Sequence, residues 1–251
     1  MTGTDTPAPG ARVADEPDES VAASNVRSLF NTIAPTYDRL NHLLSFGLDR
    51  RWWNRTARTF APILQRPEAR ILDICCGTGD LTAALMRLRP PQSEPITGLD
   101  FSPEMLTRAR AKFPSANAVW LEGDAMHLPF PDASLDLITA AFGFRNLANY
   151  ADALTELHRV LRPGGQIGIL ECNHPDGLRG AFYNLYLHHV LPLVGGWISG
   201  ERAAYAYLPA SIARFPRPPQ MLAMLSTAGF TTPTWKGFLF RAAGLYTARK
   251  P

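Results

Sequence analysis

The feature that most restricts this chain is a short apolar run, Ile71-Leu72-Asp73-Ile74, that ends in the turn Cys75-Cys76-Gly77-Thr78-Gly79 and gives way to a helical pattern over residues 80–88. A run of this length, bounded by turn residues, predicts a strand covered on both faces. The unit then repeats. Residues 96–99 form a second run that stops at Asp100, and Ser102-Pro103-Glu104 opens a helix, with serine as N-cap and proline in the first turn. Residues 118–122 and 135–141 read as third and fourth strands. A helix over 150–161 halts at Arg162-Pro163-Gly164-Gly165, and residues 166–171 read as a fifth strand. Strands alternating with helices predict an α/β fold built on a parallel, doubly wound sheet.

The flanks depart from that rhythm. Residues 25–60 read as a helical cap, with Val26, Leu29, Phe30 and Ile33 on one face, an interruption at Pro35 and a second run from 50 to 60. Residues 182–215 are rich in aromatic and leucine side chains and read as helices inserted after the fifth strand. A helix over 218–228 stops at Gly229, and residues 232–249 suit a closing antiparallel hairpin. Residues 25–251 are therefore expected to form one domain. The first 24 residues, small, acidic and containing proline, are expected to be disordered.

Composition enters mainly through charge. The first 24 residues carry a net −4, which against the chain total of +3 leaves +7 on the remainder. Such a body tolerates an anionic partner such as a lipid surface. The basic residues are scattered rather than striped, which argues against nucleic acid. The chain start lacks the basic and apolar regions of a secretory signal. The apolar patch over 190–198 is far short of the roughly 20 residues that span a bilayer. The expectation is a cytoplasmic protein whose membrane contact, if any, is peripheral to the inner face of the membrane. Cys75, Cys76 and Cys172 have neither a disulfide framework nor a zinc spacing, and His188-His189 point apart on a helix, so no metal site is expected.

Three acidic residues fall at or near strand ends: Asp73, Asp100 and Asp124. Sheets of this kind bind ligands beyond the carboxyl ends of their strands. Gly77 and Gly79 would let the backbone approach a ligand closely. Asp100 follows the turn by about 20 residues, the usual distance for a carboxylate that receives ribose hydroxyls. A dinucleotide fits poorly. The position for a third glycine holds Thr82, and Asp80 would repel a pyrophosphate at the helix start. S-adenosylmethionine has no phosphate and carries a sulfonium and an ammonium, which nearby carboxylates favour. Taken singly, Asp73 could equally satisfy backbone amides, and Asp124 could be a turn residue.

These residues carry a resemblance. Residues 71–82, ILDICCGTGDLT, resemble the first motif of the ubiquinone/menaquinone biosynthesis C-methyltransferases. Residues 30–47, FNTIAPTYDRLNHLLSFG, resemble that family's entry motif, and residues 142–171, FGFRNLANYADALTELHRVLRPGGQIGILE, its signature. The resemblance spans residues 26–249. It implies a class I S-adenosylmethionine methyltransferase fold: seven mostly parallel strands, a C-terminal antiparallel hairpin and a helical lid. Around the donor it implies Thr78, Asp100, Asp124, Ala125 and position 141, beside Asp73, Gly77 and Gly79 from the strand-end and turn reading above. Ala141 stands where a serine is common, and Cys75-Cys76 where many members have Ala-Gly.

Around the acceptor the resemblance implies Tyr37, Arg145 and Asn146. A quinol ring carbon becomes nucleophilic as its hydroxyl loses a proton. Arg145 is expected to stabilise that phenolate, with Asn146 and Tyr37 bonding the ring oxygens. The residues alone also allow a surface ion pair for Arg145, a strand-end cap for Asn146 and a core aromatic for Tyr37. The implied reaction is ring C-methylation of a prenylated quinol, demethylmenaquinol first and a methoxy-polyprenyl-benzoquinol second. The segment 182–215 is expected to cover the greasy acceptor, and a homodimer is compatible with the resemblance. O-methylation of a small phenol and a non-catalytic quinone-pathway subunit are the alternatives.

Overall fold

Period-two alternation decides how the strands are used. In β1 (Ile71–Ile74) and β4 (Leu135–Ala141), Ile71 and Leu137 pack on one side of the sheet while Leu72, Ile74 and Ile138 pack on the other. Both faces are covered, so every second residue cannot be polar. The structure is a computed structural model that describes residues 19–34, 45, 47–173 and 202–251.

Seven strands form one sheet in the order β3-β2-β1-β4-β5-β7-β6. Strands β2 (Ile96–Asp100), β3 (Ala118–Glu122) and β5 (Leu161–Cys172) run parallel to β1 and β4. The hairpin expected at the C-terminus is β6 (Thr231–Phe238) and β7 (Ala243–Arg249), with β7 antiparallel to β5. One face is covered by α6 (Tyr150–Val160) and α8 (Pro218–Thr227), through Tyr150, Leu154, Leu157, Met221 and Leu225. The other is covered by α2 (Asp49–Thr59), the single turn α3 (Ala61–Leu64) and α4 (Asp80–Met86), through Trp53, Phe60, Leu64, Leu81 and Leu85. Helix α5 (Pro103–Lys112) follows β2, and Ser102 caps it by accepting the Met105 N–H at 3.2 Å, as its sequence predicts.

Two boundaries differ from expectation. Helix α1 (Glu19–Ile33) begins inside the stretch assigned to the acidic tail. Strand β5 begins at Leu161 rather than 166. Leu135 pairs with Leu161 and Leu137 with Gln166, so Arg162-Pro163-Gly164-Gly165 is extruded as a bulge instead of ending the element. Proline has no N–H for the ladder and Gly164 takes a φ of +80°, which lets the loop close on itself. Of the insertion expected over 182–215, the structure describes only α7 (Arg202–Arg214); Tyr37 and His188-His189 also lie outside the described residues.

Candidate active site

A cleft of 690 Å³ opens beyond the carboxyl ends of β1 to β4. Strand order reverses there, because β2 and β4 leave β1 on opposite sides. Its walls come from three places: the strand-end loops around Gly77, Asp100 and Asp124; α1, through Ser24, Arg27 and Phe30; and the turn after β4, through Phe142, Gly143, Asn146, Leu147 and Ala148.

The loops after β1 and β2 are built by backbone geometry. Cys75, Gly77 and Gly79 have φ values of +49°, +54° and +86°, so the chain leaves β1 in a left-handed turn and Gly79 starts α4. A side chain at Gly79 would strike Trp120, whose ring lies 2.5 Å from the Cβ position. The turn presents the Gly77 N–H to Asp100, which accepts it on Oδ2 at 2.8 Å and accepts the Ser102 N–H on Oδ1 at 2.9 Å. Asp100 is 5% exposed, and burial raises its pKa from 3.8 to about 6 against the pull of those amides.

Asp124 is far more open. It accepts the Met126 N–H at 2.9 Å and touches His127 Nδ1 at 3.1 Å, while Ala125 beside it is buried in the wall. Asp73 lies elsewhere. Its side chain is buried on the α4 side of the sheet, taking hydroxyl bonds from Thr82 at 2.6 Å and Thr139 at 2.7 Å. Burial raises its pKa to about 7. Asp73, Thr78 and Ala141 line a separate 40 Å³ pocket behind the turn together with Cys75 and Gly77, which also face the main cleft.

The residues expected at the acceptor separate in the same way. Asn146 lines the cleft, and its Oδ1 accepts the Tyr207 hydroxyl of α7 at 3.0 Å. With that oxygen engaged, the amide N–H₂ is the group left to face a ligand. Arg145 is 6% exposed and is not among the cleft-lining residues. Its guanidinium pairs with the fully buried Glu171 at 3.0 Å, bonds the Phe142 carbonyl, and reaches Ser211 Oγ at 3.3 Å. Its own N–H also donates to Glu171, at 3.1 Å.

Several participants escape the sequence reading. Helix α1 closes the cleft over the ends of β2 and β3 by pairing Arg27 with Glu122, setting Phe30 against Phe101 at 6.3 Å and holding the Ser102 hydroxyl on Asn31 at 2.6 Å. Tyr207 and Glu171 hold the turn after β4 through Asn146 and Arg145. Glu171 ends a predicted strand just as Asp100 ends β2, which is the signal that would have found it. Phe101 directly follows a strand-end acid and Met126 follows Asp124-Ala125, so both were within reach.

A parallel sheet in this order, closed by an antiparallel hairpin, with a glycine turn after β1 and a buried acid ending β2, defines a class I methyltransferase. A solved S-adenosylmethionine-dependent methyltransferase from Thermotoga maritima has this fold, with a TM-score of 0.61 at 20% identity over 90% of this chain and 100% of that one. The sequence matches the ubiE/COQ5 methyltransferase family over residues 18–250, and the chain belongs to that family. It is 44% identical to the demethylmenaquinone methyltransferase of Deinococcus radiodurans, over 95% of this chain and 96% of the relative. It is 45% identical to that of Thermus thermophilus, over 89% and 100%. A relative from Geobacter sulfurreducens, 39% identical over 90% and 88%, is a ubiquinone/menaquinone biosynthesis C-methyltransferase.

Proposed function

We propose that this protein transfers a methyl group from S-adenosylmethionine to a ring carbon of a prenylated quinol, demethylmenaquinol in the first instance. The observation that carries the reading is that one continuous cleft joins a carboxylate-bearing donor end to an amide-bearing wall. Its volume lies within the range of small-molecule sites. The relatives at 44 and 45% identity are demethylmenaquinone methyltransferases, which favours the naphthoquinol over the benzoquinol.

The residues present suit that donor. S-adenosylmethionine supplies an electrophilic methyl group on a sulfonium centre. Asp100, already oriented by two backbone amides, keeps lone pairs for the ribose hydroxyls. Asp124, Ala125 and Met126 offer a carboxylate and a flat wall to the adenine end. Phe30, Phe101 and Leu99 exclude water there.

On the acceptor side, the Asn146 amide donates to a ring oxygen and favours its deprotonated form, which raises electron density at the neighbouring carbon. Arg145 acts by position: held by Glu171 and the Phe142 carbonyl, it fixes the turn that aims Asn146. A second ring-oxygen contact from Tyr37 rests on the resemblance. Alignment of carbon, methyl and sulfur then sets the rate.

The test is transfer of labelled methyl to short-chain demethylmenaquinol, kept reduced, beside the oxidised quinone. Label on a ring carbon from the reduced form alone is the expected result. Label on oxygen, or no transfer despite donor binding, would overturn it.

A further inference from the structure

We propose that the tip of the β6–β7 hairpin and the arginine face of α2 form a docking surface for an anionic lipid bilayer. Leu239 and Phe240 are consecutive, and they are 47% and 65% exposed. They sit on a turn in which Leu239, Phe240 and Arg241 have φ values of +37°, +54° and +72°. Side chains on L-residues disfavour that region, so the turn is held in a strained form that keeps two large apolar groups outward.

Basic residues flank this wedge. On α2, Arg51, Arg55 and Arg58 are spaced four and three residues apart and are exposed, while Trp53, Ala57 and Phe60 of the opposite stripe are buried. The helix has one acid, Asp49, which is buried at its start and takes the Arg50 N–H at 2.7 Å. The two parts touch: the Arg55 guanidinium lies 4.8 Å from the ring centre of Phe238, the residue before Leu239. Arg241, which follows Phe240 in the turn, lies 5.6 Å from the ring centre of Trp235, and Lys236 is exposed. None of Arg51, Arg55, Arg58, Lys236 and Arg241 makes an ion pair among the described residues.

Apolar side chains beside unneutralised cations are what an anionic headgroup layer over hydrocarbon requires. The surface also reaches the cleft, since the rings of Trp52 of α2 and Phe142 lie 6.0 Å apart, tilted by 55°. Docking stands on the patch alone and does not need the proposed reaction.

The experiment is co-sedimentation of the full chain with phosphatidylcholine vesicles, with and without phosphatidylglycerol. Binding to the anionic vesicles, weakened by salt, is expected. Leu239→Ser with Phe240→Ser should cut partitioning about tenfold. Arg51→Glu with Arg55→Glu should cut it further, at about fivefold for each unit of basic charge lost. Both variants should keep wild-type thermal unfolding and wild-type methylation of a water-soluble short-chain quinol. Equal binding to both vesicle types, no binding by the wild type, or binding unaffected by both double substitutions would overturn the proposal.

Discussion

Replacing Glu171 with leucine tests how the acceptor wall is built. The Glu171 carboxylate is fully buried and accepts four hydrogen bonds: the Arg145 N–H at 3.1 Å, the Cys172 N–H at 3.0 Å, and Arg145 Nη1 at 3.0 and 3.3 Å. Leucine strands a guanidinium that is 6% exposed. Removing one partner of a buried pair costs about 3–5 kcal/mol, a large share of a total stability of about 5–15 kcal/mol. Arg145→Met strands the carboxylate and falls in the same range. The double substitution Arg145→Met, Glu171→Leu removes both charges and leaves two amides short of an acceptor, at about 1–3 kcal/mol each or less. It should therefore be no worse than either single change, with a coupling energy of about 3 kcal/mol. Urea unfolding of the four proteins measures the cycle, and calorimetric donor binding accompanies it. Single changes below about 1 kcal/mol that simply add would refute the pairing argument. Arg145→Met that keeps stability and donor affinity but loses turnover would instead put the guanidinium on the acceptor.

Three further outcomes follow from the site. Asp100→Asn offers one oxygen to two backbone donors and an N–H₂ that opposes the other, so donor affinity should fall about 10- to 100-fold. In the proposed donor site ionised Asp100 accepts the ribose hydroxyls, so wild-type donor affinity should weaken as pH drops through about 6, and titration calorimetry should find the variant flat there. Tyr207→Phe frees the Asn146 amide to rotate. Steady-state kinetics should show kcat reduced about three- to tenfold, in line with one lost hydrogen bond, with donor affinity unchanged. Asp73 has a folded-state pKa raised from 3.8 to about 7, so its contribution to stability is fully present below 3.8 and is lost as pH rises through 7. Relative to Asp73→Asn, the wild type should lose about 4 kcal/mol across that window, read from denaturation midpoints at pH 4 and pH 8.

The cleft end around Gly77 and Asp100 was legible because its determinants are local. A strand, a glycine turn and an acid ending the next strand appear in order along the chain, and the parallel register brings Gly77 to Asp100 without further information. Asp73 shows where that reading needed one more step. It precedes the last residue of β1, and alternation turns it toward the side that Ile71 faces, where Thr82 and Thr139 receive it. The acceptor wall depends on partners far apart in sequence: Arg145 with Glu171 and Ser211, and Asn146 with Tyr207, separated by 26, 66 and 61 residues. No spacing rule reaches that far. The adjacent Arg145-Asn146 read as one pair aimed at one ring. They occupy a single 3-10 turn, Phe144–Asn146, in which successive side chains point apart. One of them can face the cleft only if the other turns away from it. Asn146 faces the cleft and the arginine goes inward, where a buried cation requires an acid, and Glu171 at the end of β5 is the acid in reach.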